Sequence, residues 1–265
     1  MPRVRLNDIN LYYEEEGRGD ALILICGLAG ITRDWRLQVP HFSNHYRTIV
    51  FDNRGVGKTD KPKPPYSISQ FAKDTISLMD HLKLKKANIL GLSMGGMIAQ
   101  ELAILYPERI DKLILSVTNC GPKHSVMPEP WVIETIAQTE GLSLEEALRK
   151  SFPIIFTDSF LKEDMEKVEI FLNDRLAYPG QPFFAFQAQL KAVMEFDSYL
   201  GLSKIENQTL ILTSKKDILV PPVNSEILAG KIRNSKLVIF ENGGHLLNIE
   251  RPEEFNDTVL NFLMS

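Results

Sequence analysis

The stretch Ala87-Asn88-Ile89-Leu90-Gly91-Leu92-Ser93-Met94-Gly95-Gly96-Met97-Ile98-Ala99-Gln100 changes character half-way along. It opens with a short apolar run of buried-strand type. Met97 and Ile98, continued by Leu102 and Ala103, then recur at the spacing of a helix face. Between the two lies Gly91-Leu92-Ser93-Met94-Gly95, which fits G-x-S-x-G, the pattern of a strand that turns abruptly into a helix with serine at the corner. The spacing has a steric cause. The corner residue is held in a strained backbone conformation, and the residues two before and two after it come too close to carry side chains. The serine oxygen is pushed out above the sheet, at a helix N-terminus whose free N–H groups favour developing negative charge. A serine opening a helix is by itself an ordinary N-cap, so a chemical reading requires a base, an acid and oxyanion donors elsewhere in the chain.

Composition narrows the partners. A chain of 265 residues suits one α/β domain with an insertion. The formal net charge of -4, with no run of basic residues, argues against a dedicated nucleic-acid surface. The first residues, Met-Pro-Arg-Val-Arg-Leu-Asn-Asp, contain no apolar segment of signal type, and no apolar run approaches a bilayer span. Cys26 and Cys120 do not form a metal-ligand spacing. The expectation is a reduced cytoplasmic protein acting on a small molecule, with no metal, nucleic-acid or membrane partner; a homodimer is left open.

Working outward from the serine, Val4–Leu6 and Ile9–Glu16 read as a hairpin, and Ala21–Cys26 as a strand covered on both faces. The loop Gly27-Leu28-Ala29-Gly30 follows, then a helix expected over about 34–42 and a strand over Thr48–Phe51. Gly57-Lys58-Thr59 imitates the end of a phosphate-binding loop, but Asp52 replaces its first glycine and Lys61-Pro62-Lys63-Pro64-Pro65 cannot continue a helix. Ser67–Leu82 is a helix, and Ile110–Val117 a buried strand. Strands alternating with helices predict a largely parallel sheet flanked by helices, an α/β class.

From about Gly121 to Tyr199 the rhythm becomes helical and aromatic, with a capping box at Ser143-Leu144-Glu145-Glu146 and a helix expected over Phe160–Leu176. Residues 121–199 are accordingly read as a helical cap insertion, and 1–120 with 200–265 as the core. Its aromatics form the core of a small subdomain, with an underside able to supply an apolar pocket. After it come a strand at Thr209–Thr213, a helix at Ser225–Ile232, a strand at Leu237–Phe240 and a closing helix at Pro252–Met264.

A serine hydroxyl needs a base within hydrogen-bond reach. Of five histidines, His41 and His45 lie near a surface helix end, His81 within a helix, and His124 at the start of the insertion. His245 follows the strand Leu237–Phe240, and so shares with Ser93 the sheet edge formed by strand C-termini, where ligands bind. Asp217 follows the strand Thr209–Thr213 on the same edge and can orient an imidazole. Its rivals Asp52 and Asp60 precede the serine. Two N–H donors for an oxyanion are expected from Met94 and Leu28.

With these residues assembled, the chain resembles the α/β-hydrolase superfamily over essentially its full length. The resemblance rests on Gly91-Leu92-Ser93-Met94-Gly95-Gly96, on Asp52-Asn53-Arg54-Gly55-Val56-Gly57, on Asp217 and on Gly244-His245. The order Ser93, Asp217, His245 is that of the family's nucleophile, acid and base. Size and motif style look most like small bacterial carboxylesterases and 3-oxoadipate enol-lactonases. The resemblance implies a cofactor-free serine hydrolase acting on a small ester or lactone, with Gly27 and Trp131 at the substrate. C–C bond hydrolases, perhydrolases and hydroxynitrile lyases use the same triad, and a ligand receptor with little turnover is the non-enzymatic alternative. One departure stands out: Cys26-Gly27 occupies the place where the family usually has His-Gly.

Overall fold

The computed structural model describes residues 3–265; Met1 and Pro2, which the expected core segment includes, lie outside the described residues. Eight strands form one sheet: β1 (Arg3–Leu6), β2 (Ile9–Glu16), β3 (Ala21–Ile25), β4 (Arg47–Phe51), β5 (Ala87–Leu92), β6 (Ile110–Ser116), β7 (Gln208–Ser214) and β8 (Ser235–Phe240). Their spatial order is β1-β2-β4-β3-β5-β6-β7-β8. The β1–β2 and β2–β4 pairs are antiparallel, and every later pair is parallel. This is the mostly parallel sheet that the alternating rhythm predicts.

The central strands are buried throughout because helices cover both faces. Alternation assigns the faces. Ile23, Ile25 and Ile89 pack against α2 (Ile68–His81) and α3 (Met94–Leu105). Leu22, Leu24 and Leu90 pack on the other face, against Trp35, Phe42 and the closing helix at Pro252–Met264. Each such fully buried leucine or isoleucine contributes roughly 1.5–3 kcal/mol by its removal from water.

Two expected helices are broken. The helix over 34–42 is a 3-10 turn at Thr32–Trp35 followed by a single α-turn at Val39–Phe42, α1. Pro40 lacks an N–H and its ring would meet the carbonyl of Arg36, so the helix can only begin at its doorstep. Between β6 and β7 run α4 (Pro130–Ala137), α5 (Leu144–Ile155), α6 (Asp158–Glu163), α7 (Met165–Leu176) and α8 (Phe183–Glu195). The helix expected over Phe160–Leu176 is thus divided at Asp164, a poor interior residue that ends α6 and opens α7. The capping box forms: the Ser143 side chain accepts from the Glu146 N–H, and the Glu146 carboxylate accepts from the Ser143 N–H at 2.8 Å.

Phe152, Phe156, Phe160 and Phe171 build a small core among these helices, joined by Ile249 from outside the segment. The last helix behaves differently. Ala185, Ala188 and Ala192 of α8 sit in the same cluster as α3, their small side chains letting the helix lie close on the sheet's own cover. The chain closes with α9 (Val223–Lys231), α10 (Leu247–Glu250) and α11 (Pro252–Met264). The phosphate-loop imitation is a turn: the Lys58 N–H donates to Asp52 Oδ2 at 2.8 Å, and the next helix starts only at Ile68.

Candidate active site

Ser93 sits between β5 and α3 with φ 55° and ψ −119°, outside the regions a side-chain-bearing residue favours. Its N–H donates to the Ser116 carbonyl at 2.9 Å, and its carbonyl accepts from Gly96 N–H at 2.8 Å and the Thr118 hydroxyl at 2.7 Å. These bonds hold the strained corner from the end of β6 and from the first turn of α3. A Cβ on Gly91 would overlap the Gly95 carbonyl, and one on Gly95 would overlap the Ile25 carbonyl. The two glycines of the motif are therefore steric requirements of this turn.

Asp217 follows β7 in a tight turn. Its Oδ1 accepts from the N–H groups of Leu219 and Val220, both at 2.9 Å, and its Oδ2 lies 2.9 Å from His245 Nδ1. Its side chain has no exposed surface. The carboxylate oxygen faces Nδ1, so that nitrogen is the one placed to donate to Asp217, with Nε2 on the opposite side of the ring. His245 lies in the loop between β8 and α10, beyond Gly243, which has φ 120°. The Ser214 hydroxyl donates to the Gly243 carbonyl, tying that loop to the end of β7.

Glu250, absent from any sequence expectation, fastens the same loop from the other side. Its Oε1 accepts from the N–H of Gly244 and of Thr157, each at 2.9 Å, and its Oε2 from the Thr157 hydroxyl at 2.7 Å. Burial pushes its carboxyl above the ordinary range. No local signature marks such a residue, because two of its three donors lie 93 residues away.

Ser93, His245, Gly27, Leu28 and Met94 all line one cavity of about 440 Å³. No hydrogen bond joins the Ser93 hydroxyl to His245 among the described residues; the cavity is what they share. Nor do the N–H groups of Leu28 and Met94 have a protein acceptor among the described residues. Two N–H groups without a protein acceptor among the described residues thus line the cavity that Ser93 enters.

Trp131 is not brought to this cavity. It is 48% exposed on the outer side of α4, while Ile133 and Ile136 of that helix line the interior. Asp52 and Asp60, the rival acids, have other work. Asp52 accepts from Thr32 and Lys58 N–H at 2.8 Å, and burial raises its carboxyl to about 6. Asp60 accepts from the Asn10 backbone and side chain at 2.8 Å. Cys26 is a buried small residue whose thiol donates to the Ile31 carbonyl at 3.2 Å; burial, the largest influence, pushes the thiol well up and makes it a poor nucleophile.

The cavity wall is apolar along Met97, Ile133, Ile136, Phe186 and Val220. The charged side chains that reach it are Asp34 and Arg175, paired at 3.2 Å. Among the described residues no group of three or more His, Cys, Asp or Glu is placed to hold a metal, and no helix is long and apolar enough to cross a membrane.

A strained serine between a parallel strand and a helix, with an Asp–His pair beyond later strands, is the arrangement of an α/β-hydrolase. Residues 20–146 match the family model described as the alpha/beta hydrolase fold. The chain is 30% identical over 254 residues to 3-oxoadipate enol-lactonase 2 of Acinetobacter baylyi, covering 95% of this chain and 92% of that one. Among solved structures, an enol-lactonase from Burkholderia xenovorans superposes with a TM-score of 0.87 at 29% identity, over 100% of both chains. A thermophilic esterase from Thermogutta terrifontis gives 0.87 at 26%, over 100% of this chain and 98% of the other. The chain belongs to the α/β-hydrolase superfamily.

Proposed function

We propose that the protein is a serine hydrolase that cleaves a small carboxylic ester or lactone through an acyl-enzyme. His245 Nε2 takes the Ser93 proton as the serine oxygen attacks the carbonyl carbon. The resulting oxyanion is held by the N–H groups of Leu28 and Met94. His245 passes its proton to the leaving alkoxide, then removes one from the water that attacks the acyl carbon and returns it to the Ser93 oxygen as that oxygen leaves, releasing the acid and restoring Ser93. Asp217 keeps the imidazole in the reactive tautomer and stabilises its charged form. This route needs no cofactor.

The observation that carries the reading is the 2.9 Å Asp217–His245 pair sharing a cavity with Ser93 in its positive-φ corner. The enol-lactonases and the esterase among the relatives support the ester or lactone bond as the target. An apolar wall whose charged side chains neutralise one another favours a substrate with an uncharged, hydrophobic acyl or alkoxy group. Residues 121–199 act as the cap over it, on a core of 1–120 and 200–265. The test is release of p-nitrophenol from acetate through octanoate esters by wild type and Ser93→Ala. Turnover that depends on chain length and disappears in the variant supports the reading; equal rates in the two proteins would sink it.

A further inference from the structure

The loop that carries Leu28 is a tight turn closed by a hydrogen bond from Gly30 N–H to the Gly27 carbonyl at 3.1 Å. Its third residue, Ala29, has φ 58°. A positive φ there is the geometry of a type II turn, which favours glycine, whereas an alanine left to itself prefers the negative φ of a type I turn. The two turns differ by a flip of the central Leu28–Ala29 peptide. That peptide adjoins the one bearing the Leu28 N–H.

Both polar atoms of Ala29 are held by side chains from the helices between β6 and β7. Its N–H, part of the peptide that would flip, donates to Gln189 Oε1 at 3.0 Å. Its carbonyl accepts from Arg175 Nη1 at 2.7 Å. Each holder is itself fixed. Gln189 is fully buried on α8, and its Nε2 donates to the Arg54 carbonyl at 2.8 Å. Arg175, on α7, also pairs with Asp34 Oδ2, which accepts the Ile31 N–H at 3.0 Å. Two side chains from separate helices, 146 and 160 residues away in sequence, thus converge on one alanine of positive φ.

We propose that Gln189 and Arg175 are positioning residues that hold the Gly27–Gly30 turn in the conformation that aims the Leu28 N–H at the reacting carbonyl oxygen. The helical segment then does more than cover the site: it completes the oxyanion hole. The inference rests on the serine-hydrolase reading, in which Leu28 is an oxyanion donor. It accounts for an alanine at a position whose backbone favours glycine, since the clamp supplies the restraint that a free turn lacks.

The experiment measures kcat and KM for p-nitrophenyl butyrate, with thermal unfolding, in wild type, Gln189→Leu, Ala29→Gly and the double variant. Gln189→Leu should lower kcat at least ~tenfold with KM changed less than ~threefold, a partial loss of what one oxyanion donor supplies. Glycine enters positive φ freely, so Ala29→Gly in the Gln189→Leu background should restore most of kcat without restoring Tm. A Gln189→Leu protein that keeps its kcat overturns the proposal. So does one whose kcat loss only follows its loss of folded protein and is not relieved by Ala29→Gly. Should Gln189→Leu fail to fold, Arg175→Met combined with Asp34→Asn, which strands no buried charge, is judged by the same split and the same rescue. Absence of Ser93-dependent turnover in wild type would overturn the functional reading itself, and the clamp's role with it. Intact wild-type turnover with an indifferent Gln189→Leu overturns the clamp alone.

Discussion

The sheet edge and the helical segment above it contribute to the site by different means. On the edge, Ser93 and Asp217 are set by the backbone of their own turns: a positive-φ corner between β5 and α3, and a two-residue turn closed on Asp217 Oδ1. The helices between β6 and β7 contribute side chains that reach across more than 90 positions: Thr157 to Glu250, Arg175 and Gln189 to Ala29. A site atom placed by a local turn is written in adjacent residues. One placed by a distant side chain is written nowhere near itself.

The comparison breaks first on chemistry. If the edge carries the reaction, Ser93→Ala and His245→Ala should each lower ester turnover at least ~10³-fold; Ser93→Ala should leave the unfolding transition nearly unchanged, whereas His245→Ala, which strands the buried Asp217 carboxylate, should also lower it. Asp217→Asn should lower it ~10²-fold or more, because an amide facing Nδ1 favours the wrong tautomer. Full activity in Asp217→Asn would reassign the acid. Steady-state kinetics beside circular dichroism melts separate these outcomes from unfolding.

These edge residues were legible for a physical reason. Strands β3 and β5 are buried on both faces and so read as unbroken apolar runs, and Gly91, Ser93 and Gly95 are spaced by the steric demands of one turn. Asp217 and His245 follow from counting loops after strands that all run the same way. Much less of the helical segment could be read. Its helices are divided at Asp164 by conformation rather than by a strong breaker. Gln189, Arg175 and Glu250 look in sequence like ordinary polar residues on helix faces. Trp131, expected at the substrate, turns outward because Val132, Ile133 and Ile136 take the inner side. Periodicity marks an apolar face; it does not say which large side chain lies off it.

Buried carboxylates sharpen the contrast through pH. Asp52 supports the edge by bonding Thr32 and Lys58 N–H, yet burial outweighs those bonds and raises it from 3.8 to about 6. The folded chain therefore binds this proton more tightly than the unfolded chain does. The stabilisation is full below pH ~4 and is lost as pH rises through about 6, a change of roughly 3 kcal/mol across the window. Urea unfolding from pH 4 to 7 should show this fall in wild type, and a flatter slope in Asp52→Asn. Equal slopes would mean that Asp52 titrates like an exposed carboxylate.

Glu250 tests the bond between the two regions. Its loss in Glu250→Ala leaves the N–H groups of Gly244 and Thr157 without their acceptor, and should lower stability by about 2 kcal/mol. Glu250→Gln keeps one carbonyl oxygen and should lose less. Because Gly244 precedes His245, the alanine variant should also lower kcat with little change in KM. Hydrogen exchange reads the site directly, as faster exchange at Gly244 and Thr157 together. Faster exchange at only one of them would mean that the carboxylate does not link the loops.

The smallest effect is expected at Trp131, and it is the one that tests how the helices sit over the cavity. With Trp131 half exposed and Ile136 lining the interior, Trp131→Ala should change stability by less than ~0.5 kcal/mol and leave the ester chain-length profile unmoved. Ile136→Ala removes wall volume and should shift the preference toward longer acyl chains. The pair separates two geometries, because both residues lie on α4 and any general weakening of that helix would move both variants alike. If Trp131→Ala instead shifts the chain-length preference as Ile136→Ala does, α4 must rotate inward when substrate is bound. Trp131 would then reach the cavity only with the substrate bound.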